Sequence, residues 1–186
     1  GRHLLAWSRR PAQQAAWRAA GIDGHLDPNG LMITVQNHGA NKLDWYLGIR
    51  AGLTTSTAPG GWRHAILRVD MANRFPAGEP PYIAGDGSAV PAGSYRAFVA
   101  VYLPNWAINV EPSGGQILAV GTDGPMRVVG VRLTIPRGET GSVIVRFSIP
   151  PREREIVLLP AARARPILVG YPDGSTDDER ARLLRV

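Results

Sequence analysis

The sequence predicts a mainly β protein, an antiparallel β-sandwich of the immunoglobulin or fibronectin type, and three observations support this. Apolar and polar residues alternate along several segments, which is the period of a strand with one buried face. Runs of turn-forming residues separate these segments, with no long helical pattern between them. Glycine (22) and proline (16) are abundant among the 186 residues, which disfavours a helical bundle. We expect about seven to nine strands.

The alternating segments are the predicted strands, each with one face in the core. Alternation begins near Leu31, and the two segments on either side of residues 136–141 predict a β-hairpin. A short apolar segment after Pro151 predicts a last strand. The alternating segments after the first lie at 43–53, 65–71, 95–103, 129–135, 143–149 and 156–159.

We divide the chain into an N-terminal segment at 1–30, a sandwich at 31–169 and a C-terminal tail at 170–186. In the first segment, a short apolar strand precedes a helix from about Pro11 to Ala20. We expect this helix to pack on the sandwich, with Gly21 in the left-handed position that follows a helix.

The C-terminal tail is predicted to contain a short helix. Thr176 and Glu179 have the spacing of a capping box. Acidic residues follow Thr176 and arginines come later, which suits the helix dipole. The tail is therefore expected to be helical.

Charge and cysteine content narrow the function. Lys and Arg outnumber Asp and Glu by 21 to 15, but Lys42 is the only lysine and the arginines are scattered. We therefore expect a solvated face and no nucleic-acid partner. The absence of cysteine excludes disulfides and a cysteine nucleophile. No apolar run approaches the roughly 18 residues that span a bilayer, so we expect no direct membrane contact from this segment.

The densest polar cluster, at 36–44, is the candidate ligand-binding site. Its donors, acceptors and single cation could bind a sugar or a phosphate, although turn formation also accounts for its Asn and Gly residues. Nearby aromatic rings could stack on sugars, as in a carbohydrate-binding module, or could close the ends of the core. The candidate ligand-binding residues are Asn37, His38, Asn41, Lys42, Asp44, Tyr46, Tyr82 and Trp106.

No sequence motif indicates catalysis or metal binding. The four histidines lack the paired spacing of zinc ligands, and neither a G-x-S-x-G elbow nor a P-loop occurs. We therefore predict no catalytic residue, no metal and no cofactor. Carboxylates distant in the chain could still converge as they do in glycoside hydrolases. The candidates for such a pair are Asp44, Asp70, Glu79 and Glu111.

Several segments resemble one family. The pattern N-x-x-x-N-K-x-D-W-Y at 37–46 is the most specific, and four other segments accompany it, at 3–8, 80–83, 93–96 and 101–104. Together they resemble the C-terminal part of actinobacterial proteins that carry the domain of unknown function 4012. The resemblance covers roughly residues 3–150.

The resemblance implies a membrane-anchored protein of the cell envelope, exposed on the extracytoplasmic side, with a larger domain upstream of this segment. That upstream domain has been likened to enzymes that attach glycopolymers to the cell wall. We therefore expect a non-catalytic accessory or interaction module whose partner is the upstream domain of the same protein. Binding of cell-wall glycan is the alternative, and part of a glycopolymer-processing enzyme is the third.

Overall fold

The computed structural model describes residues 4–163 and 165–186, and its core is two six-stranded β-sheets. The prediction of a mainly β, sandwich-like protein is confirmed, with twelve strands described instead of seven to nine. The strands are β1 (Gly30–Asn37), β2 (Leu47–Thr57), β3 (Arg63–Asn73), β4 (Tyr95–Leu103), β5 (Ile108–Ser113), β6 (Gln116–Asp123), β7 (Met126–Ile135), β8 (Thr140–Ile149), β9 (Glu155–Leu158), β10 (Leu168–Tyr171), β11 (Gly174–Asp177) and β12 (Arg182–Arg185).

Two strand pairs are parallel, so the prediction of purely antiparallel sheets is wrong there. The first sheet has the order β12-β9-β1-β4-β7-β6 and the second β11-β10-β2-β3-β8-β5. β9 pairs parallel with β1, and β10 pairs parallel with β2. Parallel neighbours need a long connection, which is available here because β9 and β10 come much later in the chain than their partners.

The core lies between the two sheets, and the two-residue alternation explains its composition. The inward positions of β4 are all buried: Tyr95, Ala97, Val99, Val101 and Leu103. The inward residues of β3 and β8 face them across the core. The β4 bounds are the predicted ones. Strand β2 begins at Leu47, later than predicted, because Asp44–Tyr46 forms a turn of 3₁₀ helix.

β7 and β8 do not form the predicted hairpin. β7 pairs with β4 and β6 in the first sheet, whereas β8 pairs with β3 and β5 in the second. The chain crosses between the sheets after Ile135, and a Cβ on Gly141 would lie 2.7 Å from Cδ1 of Leu133. Two strands that each have one apolar face can pair side by side or face each other across a core, and alternation alone does not distinguish these arrangements.

The prediction of a helical C-terminal tail is also wrong, because residues 170–186 contribute strands to both sheets. Thr176 pairs with Val169 in the second sheet, and Leu184 pairs with Ile156 in the first. Leu184 is 1% exposed. A helix of about ten residues is marginal by itself, whereas strand pairing adds backbone hydrogen bonds and buries Leu184.

The N-terminal helix α1 spans Pro11–Ala19, and Gly21 follows it with φ of +68°, as predicted. No residue of α1 is buried, so the helix lies outside the core. The predicted strand before it is absent from residues 4–7, and its beginning falls outside the described residues. A second, four-residue helix, α2, spans Pro81–Ala84. No helix within the described ranges has the length and apolarity needed to cross a membrane.

Candidate functional site

Three of the predicted site residues form one hydrogen-bonded cluster after β1. The side-chain amide of Asn37 donates to Oδ1 of Asn41 at 2.9 Å and to Oδ2 of Asp44 at 3.2 Å. Its own carbonyl oxygen accepts the N–H of Gly39 at 2.9 Å. Asn41 in turn donates to the carbonyl of Ser94 at 2.9 Å. The loop is therefore held mainly by its own side chains, as the turn-forming interpretation predicts.

Asp44 connects this loop to the core through Tyr95. The Tyr95 hydroxyl donates to Oδ1 of Asp44 at 2.9 Å, and the Tyr95 side chain is buried. Burial, and secondly the negative charge of Asp44, raise the pKa of Tyr95 above its ordinary value. Tyr95 is therefore a neutral donor at physiological pH, and Asp44 is held on both oxygens.

Lys42 and Tyr82 form a separate surface pair beside the loop. The Lys42 ammonium contacts the Tyr82 hydroxyl and lies 3.7 Å from the centre of the Tyr82 ring. The hydrogen bond and charge of Lys42 lower the pKa of Tyr82. Tyr82 is 73% exposed, so its ring remains available at the surface.

The other predicted site residues do not join the cluster. His38 stacks on Phe98 with ring centres 5.3 Å apart, and Tyr46 packs edge-on against Phe75 at 5.1 Å. Trp106 donates to Oδ1 of Asn29, which precedes β1, whereas the cluster follows it. At about 3.3 Å per residue, β1 separates Trp106 from the cluster by roughly 25 Å.

A cleft of about 580 Å³ opens beside Asp44, at the side where the chain crosses from β9 to β10. Such a volume is typical of small-molecule sites, which span about 300–1,000 Å³. Strands β1, β2 and β3 and the crossing segment form its walls. Its charged and hydroxyl-bearing lining residues are Asp44, Arg50, Asp70, Arg74, Tyr95, Thr140, Arg163 and Arg165.

The arginines of the cleft were not among the predicted site residues. They belong to the scattered arginines for which the sequence predicts a solvated face, and no motif surrounds Arg50, Arg74, Arg163 or Arg165. The pairing of β10 with β2 brings them to one place, and nothing local in the sequence indicates that pairing.

Two of the four candidate carboxylates, Asp44 and Asp70, line this cleft. Asp70 accepts hydrogen bonds from Arg68 Nε at 2.8 Å and from the Ser142 hydroxyl at 2.5 Å. Asp44 accepts from Tyr95 and Asn37. Both carboxylates thus already accept hydrogen bonds from protein donors. This arrangement favours binding of a ligand in the cleft over proton transfer to a substrate.

Glu111 lines a separate, shallower depression of about 360 Å³ on the outer face of the second sheet, and Glu79 lines neither cavity. In the described part of the chain, no group of three His, Asp or Glu side chains is arranged to hold a metal ion.

Strand β6 forms one edge of the first sheet, and all eight of its residues are exposed. Ile117, Leu118 and Val120 are 49%, 43% and 60% exposed. The strand contains no proline or basic residue, and its one charge is Asp123. A register shift at Leu118 interrupts the pairing of β6 with β7, and the pairing is regular from Ala119 onward.

The other three sheet edges have features that discourage further pairing. β11 and β12 have only four residues each, and β12 begins and ends with arginine. β5 contains Glu111 and Pro112 and has a register shift of its own. Short length, charge and proline are the usual protections of an edge strand. β6 is therefore the least protected of the four.

The chain matches no protein-family model and no curated protein sequence.

Proposed function

We propose that the chain is a non-catalytic interaction module of a membrane-anchored actinobacterial envelope protein, and that it docks the upstream domain of that protein through β6. The resemblance described above supports the envelope location on the extracytoplasmic side. The exposed, unprotected edge of β6 is the observation that carries the docking role. We also propose that the sandwich is of the immunoglobulin or fibronectin type, since many cell-surface domains share this architecture.

Docking at β6 would proceed by strand addition. An edge strand presents free N–H and C=O groups, and an extended segment of another domain can pair with them as one more strand. Ile117 and Val120 would supply apolar contacts to that segment. A water-exposed apolar edge of this kind is a liability unless a partner covers it.

Amide hydrogen exchange in the 186-residue chain and in the full-length gene product tests this proposal. Docking should protect the outward N–H groups of β6 in the full-length protein and leave the opposite edge, β12, unchanged. The substitution Val120→Lys should remove that protection, whereas Leu183→Lys, at a comparably exposed position of β12, should not. Equal exchange of β6 in both proteins would overturn the proposal, and so would a dimer of the isolated chain formed through β6.

Protease accessibility tests the location. Intact cells treated with a membrane-impermeant protease should lose this domain, while a cytoplasmic marker remains intact. Protection of the domain until the cells are lysed would reject the envelope assignment.

Binding of cell-wall glycan is the second candidate, favoured by two exposed rings near the Asn37 cluster. Trp45 is 59% exposed and Tyr82 is 73% exposed, and rings in such positions can stack on sugars. Glycan fragments should then shift the Trp45 indole N–H resonance in an NMR titration. An unchanged spectrum would reject this candidate.

A further inference from the structure

We infer that the cleft beside Asp44 binds a small ligand carrying at least two acidic oxyanion groups, held by Arg50, Arg74 and Arg165. This inference concerns a different part of the molecule from β6 and does not depend on docking there. The ligand class is set by charge, by the geometry of the guanidinium groups and by the size of the cleft.

None of the three arginines forms a salt bridge with an acidic side chain in the described part of the chain. Among residues 4–163 and 165–186, the salt bridges join Arg18 to Asp23, Arg68 to Asp70 and Arg163 to Asp178. Arg68 and Asp178 thus balance two of the charged groups of the cleft. Once Asp70 is counted with Arg68, three arginines face one remaining carboxylate of the cleft, Asp44, which leaves an excess of two positive charges.

Two of the arginines pack against neighbouring groups of the cleft. The Arg165 guanidinium lies 4.4 Å from the centre of the Trp45 ring, in a cation–π contact. The Arg74 guanidinium lies over Gly48, where a Cβ would come within 3.2 Å of its Cζ. Glycine at position 48 therefore leaves room for this side chain against β2. A side chain that already packs against its neighbours loses less entropy when it binds a ligand.

The wall behind them is also fixed. Arg163 is ion-paired with Asp178 and donates to the carbonyl of Ile33, so it anchors the segment that carries Arg165. Its side chain is 7% exposed, which makes it a structural cation rather than a ligand contact. The cleft therefore has a rigid floor and arginines at its exposed mouth.

Guanidinium groups in this arrangement favour carboxylate or phosphate ligands. Each guanidinium presents paired N–H donors that match two oxygens of one oxyanion. Like charges that lie close together repel, and an anion shared between them relieves that repulsion. The apolar positions Val35, Ile49 and Pro166, which also line the cleft, suit the carbon skeleton of such a ligand.

Two kinds of ligand share this chemistry, a compound with two carboxylates and a compound with phosphate groups. Isothermal titration of the 186-residue chain with digalacturonic acid and with pyrophosphate distinguishes them, and cellobiose serves as the neutral control. We expect at least one acidic probe to bind and cellobiose not to bind. Binding of digalacturonic acid alone indicates the carboxylate kind, and binding of pyrophosphate alone the phosphate kind.

Single substitutions test the assignment of residues. Arg74→Gln and Arg165→Gln should each weaken the bound probe by about tenfold or more, because a hydrogen bond to a charged group is worth about 1.5–3 kcal/mol. Arg152→Gln removes the same charge from an exposed position outside the cleft and should leave the affinity unchanged. Added salt should weaken binding of the acidic probe.

Chemical shifts give a second readout that does not depend on the heat of binding. The bound probe should move the Trp45 indole resonance in the wild type and in Arg152→Gln. Three results would overturn the inference: no binding by either acidic probe, equal weakening by Arg152→Gln, or tighter binding of a short DNA oligomer that Arg74→Gln leaves unchanged. Absence of binding by both acidic probes would not affect the docking proposal, because that proposal is tested at β6.

Discussion

Arg163 and Asp178 form an ion pair in which both side chains are almost completely buried, at 7% and 4% exposure. Arg163 also donates to the carbonyl of Ile33 in β1, and Asp178 accepts the N–H of Ile167 at 2.6 Å, just before β10. The pair therefore ties the crossing segment to both sheets. Burial lowers the pKa of Arg163 to about 10, which still leaves it charged at neutral pH.

We expect Asp178→Ala to lower the free energy of unfolding by about 3–5 kcal/mol, because it leaves a buried cation without a partner. Chemical denaturation measures this change. Asp173→Ala, at an exposed position nearby, is the control and should change stability little. The double variant Arg163→Met, Asp178→Leu should recover most of the loss, since it removes both charges together. Equal effects of Asp178→Ala and Asp173→Ala would contradict the role of the pair.

Tyr95 should make the protein less stable in alkaline solution. Because burial raises the pKa of Tyr95, the folded state keeps a proton that the unfolded state loses above pH ~10. The resulting stability is present below pH ~10 and is lost as the pH rises further. Tyr95→Phe should therefore show a shallower alkaline decline in urea denaturation series.

The control for this pH dependence is Tyr82→Phe. The pKa of Tyr82 is lowered, mainly by its hydrogen bond to Lys42, so removing its hydroxyl should not make the alkaline decline shallower. The lowered pKa of Arg163 acts in the opposite direction, equally in all variants. If Tyr95→Phe has the wild-type slope, the buried hydroxyl is not the cause.

Asn73 is a buried polar residue that joins three backbone segments. Its amide donates to the carbonyls of Gly93 at 2.8 Å and Ile135 at 3.0 Å, and its oxygen accepts the N–H of Phe75 at 3.2 Å. Asn73→Ala removes all three hydrogen bonds, and each buried group that is left unpaired costs about 1–3 kcal/mol. We expect the thermal midpoint to fall by several degrees, and not to fall in the exposed control Asn105→Ala.

Gly114 is required where β5 turns into β6. It has φ of +97°, and a Cβ there would lie 2.1 Å from the carbonyl oxygen of Ser142. Gly114→Ala should therefore lower the free energy of unfolding by about 2–4 kcal/mol, through backbone strain and overpacking. Gly121→Ala is the matched control, because a Cβ there meets nothing within 4 Å. Similar stability of the two variants in denaturant would contradict the requirement for glycine at this turn.

The sequence predicts strands well where one face of the strand is buried and the other is not. β4 has its predicted bounds, and the sequence pattern also predicts the segments that form β3, β7, β8 and β9. The pattern does not predict strand β6, because all its residues are exposed and its apolar and polar residues do not alternate cleanly. The pattern does not predict β11 and β12 either, because the local signal for a helix is stronger than any signal for pairing with distant strands.

The candidate site could be predicted only in its local part. Asn37, Asn41 and Asp44 lie within eight residues, and they do contact one another. The cleft is different, since Arg50, Arg74 and Arg165 come from separate segments. No spacing in the sequence links them, because the parallel pairing of β10 with β2 and the crossing segment bring them together.

The two parallel strand pairs have a consequence for folding during synthesis of the chain. Gly30 pairs with Val157, and Arg50 pairs with Leu168. During translation, β1 and β2 leave the ribosome long before these neighbours exist, so each carries an open edge while the rest of the chain is synthesised. Sheet contacts between such distant segments form slowly, and exposed edges invite association with other nascent chains. We therefore expect chaperones to bind the newly made strands during this interval and to protect their open edges.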